Sequence, residues 1–261
     1  MTLLGAYIHP RESRAVWSGG LVALLAELGF SQGAARIALT RLANRGLLAR
    51  SKHGRQVHYL ITPRGLAMLA DGDRRIFSLG RSESDAEQWT MLWHTIPDDR
   101  RKAREVLVRR LRFLGFGSIQ DGMWLAPRDR HREVSELLAD LDVRSHAGLM
   151  LGRPAASVDA RAFVARAWDL DALEVRYAAF VADFGRYGSP GVRAALDGAA
   201  LFALRTRLVH AFRQFPFLDP ELPDEPGSLP ARRAAAVTLF DDLYRAWAPD
   251  AQRHFDEVTA P

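Results

Sequence analysis

Few side chains in this sequence are equipped for covalent chemistry. The 261 residues include no cysteine, which excludes thiolate nucleophiles, disulfides, thiolate zinc sites and iron–sulfur clusters together. Eight histidines are present, but none falls in an HExxH pair, and the chain has neither a glycine-rich phosphate loop nor a nucleophile elbow. His58 lies in an alternating segment and reads as a strand-face residue. His94, beside Trp93, reads as a core histidine, and His210 shares a helical stretch with Phe202, Arg205 and Arg213, which suits either a core or a pocket. What remains is recognition chemistry. Gln32, Arg36, Ile37, Thr40, Arg41 and Asn44 follow one another at helical spacing, and Arg, Asn and Thr are the types that hydrogen-bond base edges or phosphates. Lys52 and Arg55 come shortly after. A second basic cluster, Arg109, Arg110 and Arg112, reads either as a solvated helix face or as a grip for an anion.

Charge sharpens the first of these groups. The whole chain carries a net +5, yet residues 1–75 hold eleven basic against four acidic side chains, so this segment is +7 and the rest is −2. Between Glu27 and Asp71 there is no acid, while seven basic residues fall in the gap. A basic module joined to a near-neutral remainder is the electrostatic footprint of phosphate-backbone binding, with a merely solvated basic face as the competing reading.

The elements around these residues give them an address. Ser18 is a candidate cap for a helix with Leu21, Leu24, Leu25 and Leu28 on one stripe, and Gly29 suits its left-handed stop. A second helix starts two residues later with Ser31 as cap; Ala35, Leu39 and Leu42 face inward, Gly46 ends it, and Gly33, Ile37, Thr40, Arg41 and Asn44 face out. Two helices this close form a helix-turn-helix. The stretch LLARSKHGRQVHYLIT then alternates on both sides of His53-Gly54, which predicts a hairpin wing with Arg50, Lys52 and Arg55 at or near its tip, and Thr62-Pro63 opens a further helix. An α-helix fits the major groove, so Arg41, Asn44 and Thr40 are expected to read base edges, and Lys52 and Arg55 to meet phosphate or minor groove. Ile37 pointing outward is explained either by contact with a thymine methyl or by a different helix phase.

From Gln88 the order is strand (WTMLWHTI), helix (RKAREVLVRRLRFLG), two short strands about a turn (FGSIQDGMWLAP), helix (HREVSELLADL) and strand (SHAGLMLG). This βαββαβ order predicts a ferredoxin-like, four-stranded antiparallel sheet with two helices on one face. Beyond Arg153-Pro154 the chain is helical. Asp169 caps a helix with Leu173, Tyr177, Phe180 and Phe184 on one stripe, ALFALRTRLVHAFRQF forms another, and a proline-rich loop precedes a final helix, AVTLFDDLYRAWAP. The expected class is α+β: a winged helix-turn-helix over 1–80, a ferredoxin-like middle domain over 86–154 and a helical C-terminal domain over 160–261.

The run SQGAARIALTRLANRGLL with the hairpin ending YLITPRG resembles the winged-helix start of the phenylacetate-pathway repressor (PaaX) family, where a similar AxRxxLxRLxxxG run forms the recognition helix. RRLRFLGFGSIQDGMWLAPR resembles the middle segment of that family, whose fold is similar to the small nuclease of CRISPR adaptation systems. The WDL start, the LVHAFR and DPELP blocks and the LYRAWAP end resemble its C-terminal domain. The chain departs from the family pattern at Ile37, where Thr is usual, and at Leu229-Pro230, where Trp-Pro is frequent.

The resemblance implies a dimeric repressor that occupies a palindromic operator on double-stranded DNA in an aromatic-acid catabolic operon and leaves it on binding an aryl-CoA thioester such as phenylacetyl-CoA. Under it, Arg109, Arg110, Arg112, Trp168, Tyr177, His210 and Arg213 become candidate effector contacts, the arginines for CoA phosphates and the aromatic residues for an acyl ring. No catalytic residue, metal or cofactor is expected. No apolar run reaches the length of a membrane span and MTLLGAYIHPRESR has no signal-peptide pattern, so the expected location is the cytoplasm. Two rival readings stand beside this one. One is a nucleic-acid-binding module controlled by a protein partner through the acidic helix around Asp241 and Asp242. The other is a metal-dependent nuclease, which would need a carboxylate pair that the strand ends do not display.

Overall fold

A computed structural model describes residues 1–8, 15–81, 88–155, 160–222 and 228–260. Helix α1 (Thr2–Tyr7) comes first and is followed by a two-residue strand, β1 (Val16–Trp17). Helices α2 (Ser18–Glu27) and α3 (Gln32–Asn44) are the expected pair. The cap of α2 is a correction: Ser18 is its first helical residue, and Trp17 holds the cap position with no side-chain hydrogen bond. At the other end Gly29, at φ +89°, donates to Ala26 O (2.9 Å) while Phe30 donates to Leu25 O (3.0 Å), a Schellman stop that needs the positive φ glycine allows. Strands β2 (Leu48–His53) and β3 (Gln56–Ile61) pair antiparallel with His53 opposite Gln56, so the turn is Gly54-Arg55, one residue later than the sequence pattern suggests. Strand β1 pairs with β3, giving a three-stranded sheet in the order β1-β3-β2. Helix α4 (Pro63–Ser78) follows, with Thr62 accepting from the Gly65 amide at 3.1 Å as its cap.

The middle segment has the expected order: β4 (Trp89–His94), α5 (Arg101–Phe113), β5 (Gly117–Gln120), β6 (Met123–Ala126), α6 (His131–Asp140) and β7 (Ala147–Gly152). The sheet order β5-β6-β4-β7 with every neighbour antiparallel is the ferredoxin-like arrangement. Alternation along β4 sorts its side chains by face. Leu92 joins Leu107 and Leu111 of α5 and Val134, Leu137 and Leu138 of α6 in one core. Trp89 joins Leu125, Val164 and Trp168 on the other side.

The remaining helices are α7 (Ala160–Ala167), α8 (Leu170–Gly185), α9 (Pro190–Ala194), α10 (Gly198–Phe212), α11 (Phe215–Leu218), α12 (Leu229–Ala246) and α13 (Ala248–Thr259). Asp169 caps α8 as expected, accepting from the Ala172 amide at 2.9 Å, and Leu173, Tyr177, Phe180 and Phe184 are all buried. The final helix is two helices. Pro249 does not end the chain's helical run; it occupies the first turn of α13, where a missing N–H costs nothing.

Compactness divides the chain differently from sequence order. One unit joins residues 1–77, 180–213 and 236–261, and the other joins 78–179 and 214–235. In the first unit the Tyr7 hydroxyl donates to Phe202 O (3.2 Å), its ring stacks on Phe255 at 5.2 Å, and the buried Arg205 donates to Ala6 O and Tyr244 O at 3.2 Å each, between the rings of Tyr7 and Tyr244. Helix α2 of the helix-turn-helix lies in the same unit against α13. A Cβ on Gly20 would stand 2.5 Å from Val258 O, and His254 Nε2 is 2.8 Å from Glu27 Oε2. Among the described residues no helix is long and apolar enough to cross a membrane.

Candidate nucleic-acid interface

Helix α3 is set by local chemistry at both ends. The Ser31 hydroxyl accepts from the Ala34 amide at 3.2 Å, and Gly46, at φ +67°, closes the helix with Leu47 donating to Leu42 O at 3.0 Å. Ala35 and Leu39 are buried, which turns the opposite side out. Gln32, Arg36, Ile37, Thr40, Arg41 and Asn44 are all exposed, so the sequence-derived helix phase is right and Ile37, 56% exposed, does face solvent. The other phase is thereby excluded as the explanation of Ile37.

One residue ties this helix to the wing and to α4. The Thr62 hydroxyl donates to Gly46 O (2.7 Å) and accepts from the Gly65 amide, while the Thr62 amide donates to Leu47 O (3.1 Å). Gly65 packs so closely under the end of α3 that a Cβ would lie 2.4 Å from Leu47 O. The sequence signal for Thr62 was its place before Pro63; nothing local marks Gly65. Along β2, Arg50 and Lys52 are exposed on the same side, whereas Ser51 is partly buried opposite His58, and Arg55 is exposed in the turn. Arg36, Arg41, Arg45, Arg50, Lys52 and Arg55 have no carboxylate partner among the described residues. Unpaired guanidinium and ammonium groups flanking a helix of groove-fitting size can exchange water and counterions for phosphate oxygens and base edges.

The candidate effector residues do not gather in one place. Arg109, Arg112 and Trp168 line a cavity of about 680 Å³ in the second unit. Its buried wall is Phe116, Trp124, Trp168 and Leu173, with the half-buried Phe113 and Phe217 beside it. Its rim carries two arginines that sequence reading missed, Arg166 and Arg176, because they stand on separate helices. Arg109, Arg112, Arg166 and Arg176 are exposed and make no ion pair among the described residues; Asp169 is the lone acid at this rim. Arg110 lies over the Phe113 ring at 5.5 Å and is not part of the lining. Tyr177 is fully buried elsewhere in the same unit: its hydroxyl donates to Asp219 Oδ2 at 2.6 Å, and Arg233 donates to both oxygens of that carboxylate at 2.6 and 2.7 Å. Burial and the neighbouring Asp219 charge push the Tyr177 hydroxyl pKa far above its ordinary value, so it stays a proton donor. His210 and Arg213 belong to the first unit, where both approach Thr2 Oγ1, at 3.5 and 2.7 Å. Burial lowers the pKa of Arg213. His94 is buried, accepts from Trp124 Nε1 at 3.4 Å, and has its pKa lowered by desolvation. Among the described residues no group of three or more His, Asp or Glu could hold a metal ion.

Three family models match the chain in succession: a PaaX-like protein over residues 1–65, the PaaX protein central Cas2-like domain over 82–164, and the PaaX-like protein C-terminal domain over 168–257. The transcriptional repressor PaaX of Escherichia coli (strain K12) is 29% identical over 246 residues, which is 90% of this chain and 75% of that protein. Among solved structures, the uncharacterized protein Rv0674 from Mycobacterium tuberculosis aligns with a TM-score of 0.58 over 99% of this chain and 97% of its own, at 21% identity, a likeness of fold alone.

Proposed function

We propose that this chain, which belongs to the PaaX family, is a DNA-binding transcriptional repressor of an aromatic-acid catabolic operon that leaves its operator on binding an aryl-CoA thioester. The observation that carries the reading is the outer face of α3, where exposed cations with no carboxylate partner among the described residues stand with Thr40 and Asn44 on a capped helix of a winged helix-turn-helix. Arg41, Asn44 and Thr40 read base edges, Ile37 meets a thymine methyl, and Lys52 and Arg55 hold phosphate. The protein acts as a homodimer, so that two recognition helices enter major grooves about 34 Å apart on a palindromic site.

The cavity of the second unit is the effector site in this reading. Four exposed arginines against one aspartate suit the phosphates of CoA, and the Trp168 and Phe116 wall suits an aryl group. Release requires that phenylacetyl-CoA bind better to a dimer geometry that no longer matches the groove spacing, since only differential affinity shifts the equilibrium.

The test is fluorescence anisotropy of the protein on its own upstream intergenic DNA, at fixed salt, with and without a panel of aryl-CoA thioesters. The reading expects tight, sequence-preferring binding relieved by one thioester. Binding indifferent to sequence would refute the repressor. Tight binding untouched by every thioester would remove the effector and point to control by a protein partner.

A further inference from the structure

The first unit contains a second cavity, of about 700 Å³, that the repressor reading does not use. Its floor is apolar: Leu201 of α10, Leu243 of α12 and Trp247 between α12 and α13 are all buried, and the Tyr187 ring stands edge-on to the indole at 6.1 Å. Two features make it more than a packing gap. The Trp247 indole N–H is buried with no hydrogen-bond acceptor among the described residues, a standing cost in the cavity's wall. At the mouth, Arg193 and Arg253 share one carboxylate, Asp250, at 3.6 and 3.1 Å, so two cations are balanced by a single anion. Asp242 opposes them from the exposed rim of the same cavity.

We propose that this cavity is a binding site for a small carboxylate carrying an apolar ring, its ring against Leu201, Leu243 and Trp247 and its carboxylate completing the Arg193–Asp250–Arg253 cluster. The ring gains from apolar burial, and the carboxylate supplies a second acceptor to two arginines that share one aspartate. One wall of the site is α13, the helix that also carries Gly20 and Glu27 of α2 through Val258 and His254, so the ligand would sit on the support of the helix-turn-helix. The binding claim itself does not depend on the repressor reading.

The experiment is a titration of the full-length, ¹⁵N-labelled protein with 2-naphthoate, followed by the indole N–H resonances of its six tryptophans, with Trp247 assigned through Trp247→Phe. A saturable shift of the Trp247 resonance is expected with 2-naphthoate, and none with 2-naphthylmethylammonium. Arg193→Ala with Arg253→Ala should abolish the response while the other indole resonances stay in place, and Asp242→Asn should tighten binding severalfold. Absence of a saturable shift, an equal response to the ammonium probe, or a response that survives the double arginine variant each overturns the proposal. Should the double variant disturb the other indoles, Asp242→Asn decides alone, because misfolding cannot strengthen binding; unchanged or weaker affinity there overturns the proposal too.

Discussion

On α3 and the wing, Arg36, Arg41, Lys52 and Arg55 are exposed and have no carboxylate partner among the described residues, whereas Arg233 in the other compact unit is buried and donates twice to Asp219. By sequence all are alike, cations near helices. The difference lies in what each has given up. An exposed guanidinium keeps its water, contributes little to folding and is free to trade that water for a phosphate or a base. Arg233 and Asp219 have lost theirs, and their mutual bonds, with the Tyr177 hydroxyl and the Glu221 amide on the same carboxylate, help to compensate. Stability and recognition therefore draw on the same residue type in separate places, and substitutions should separate them.

The largest expected effect tests the buried side. Asp219→Ala removes the carboxylate that accepts from both Arg233 and Tyr177 and should lower stability in urea unfolding by about 3–5 kcal/mol. Combining Asp219→Leu with Arg233→Met should recover much of that loss, since removing both charges costs less than stranding one. A loss well under 1 kcal/mol would mean water reaches the pair, and the contrast with α3 would collapse.

Next comes the joint beneath the recognition helix. Gly65→Ala places a methyl against Leu47 O, and the backbone there must shift, so a loss of about 1–3 kcal/mol is expected, with weaker binding to every DNA. The Thr62 bonds that hold α3, the wing and α4 together pass through the same few atoms. Full stability and unchanged DNA affinity in this variant would show that α3 does not rely on this joint for its aim.

On the exposed side, Arg41→Ala should leave the unfolding curve in place and cut discrimination between operator and random DNA by about 1–3 kcal/mol. An equal loss on both DNAs would reassign Arg41 to phosphate. Lys52→Ala and Arg55→Ala should weaken both DNAs alike and each flatten the slope of log affinity against log salt by about 1. Sequence specificity lost at Lys52 would move base reading to the wing.

Local signals in the sequence carried far. The cap at Ser31, the stop at Gly46, the Ala35 and Leu39 stripe and the strand order from Trp89 to Gly152 are all decided within a few residues, and the structure has each of them. Short elements escaped for the converse reason: β1 is two residues long and exists only because β3 lies beside it. The Trp17 cap position and the Gly54-Arg55 turn each turned on one residue of register, and the helix beyond Trp247 escaped because Pro249 reads as a stop yet sits in a first turn. The Tyr177–Asp219–Arg233 network spans 42 and 14 residues, and Arg166 and Arg176 meet Arg109 only through packing. No periodicity reports such meetings.

The smallest effect concerns a third way of keeping a polar group inside. His94 is buried and stays neutral, accepting from Trp124, with its pKa held below the ordinary 6.5 by desolvation, which outweighs the opposing charge of Asp121. The unfolded chain therefore takes up this proton first as pH falls. Stability should drop as pH goes from about 6.5 down towards the folded-state pKa, and the residue should add no pH dependence above about 7.5. In urea unfolding at a series of pH values, His94→Phe should lose less stability than the wild type between neutral and mildly acidic pH. Parallel wild-type and His94→Phe profiles would mean that His94 takes up its proton as readily in the folded chain as in the unfolded one, and burial beside Trp124 would then not suffice to hold this side chain neutral.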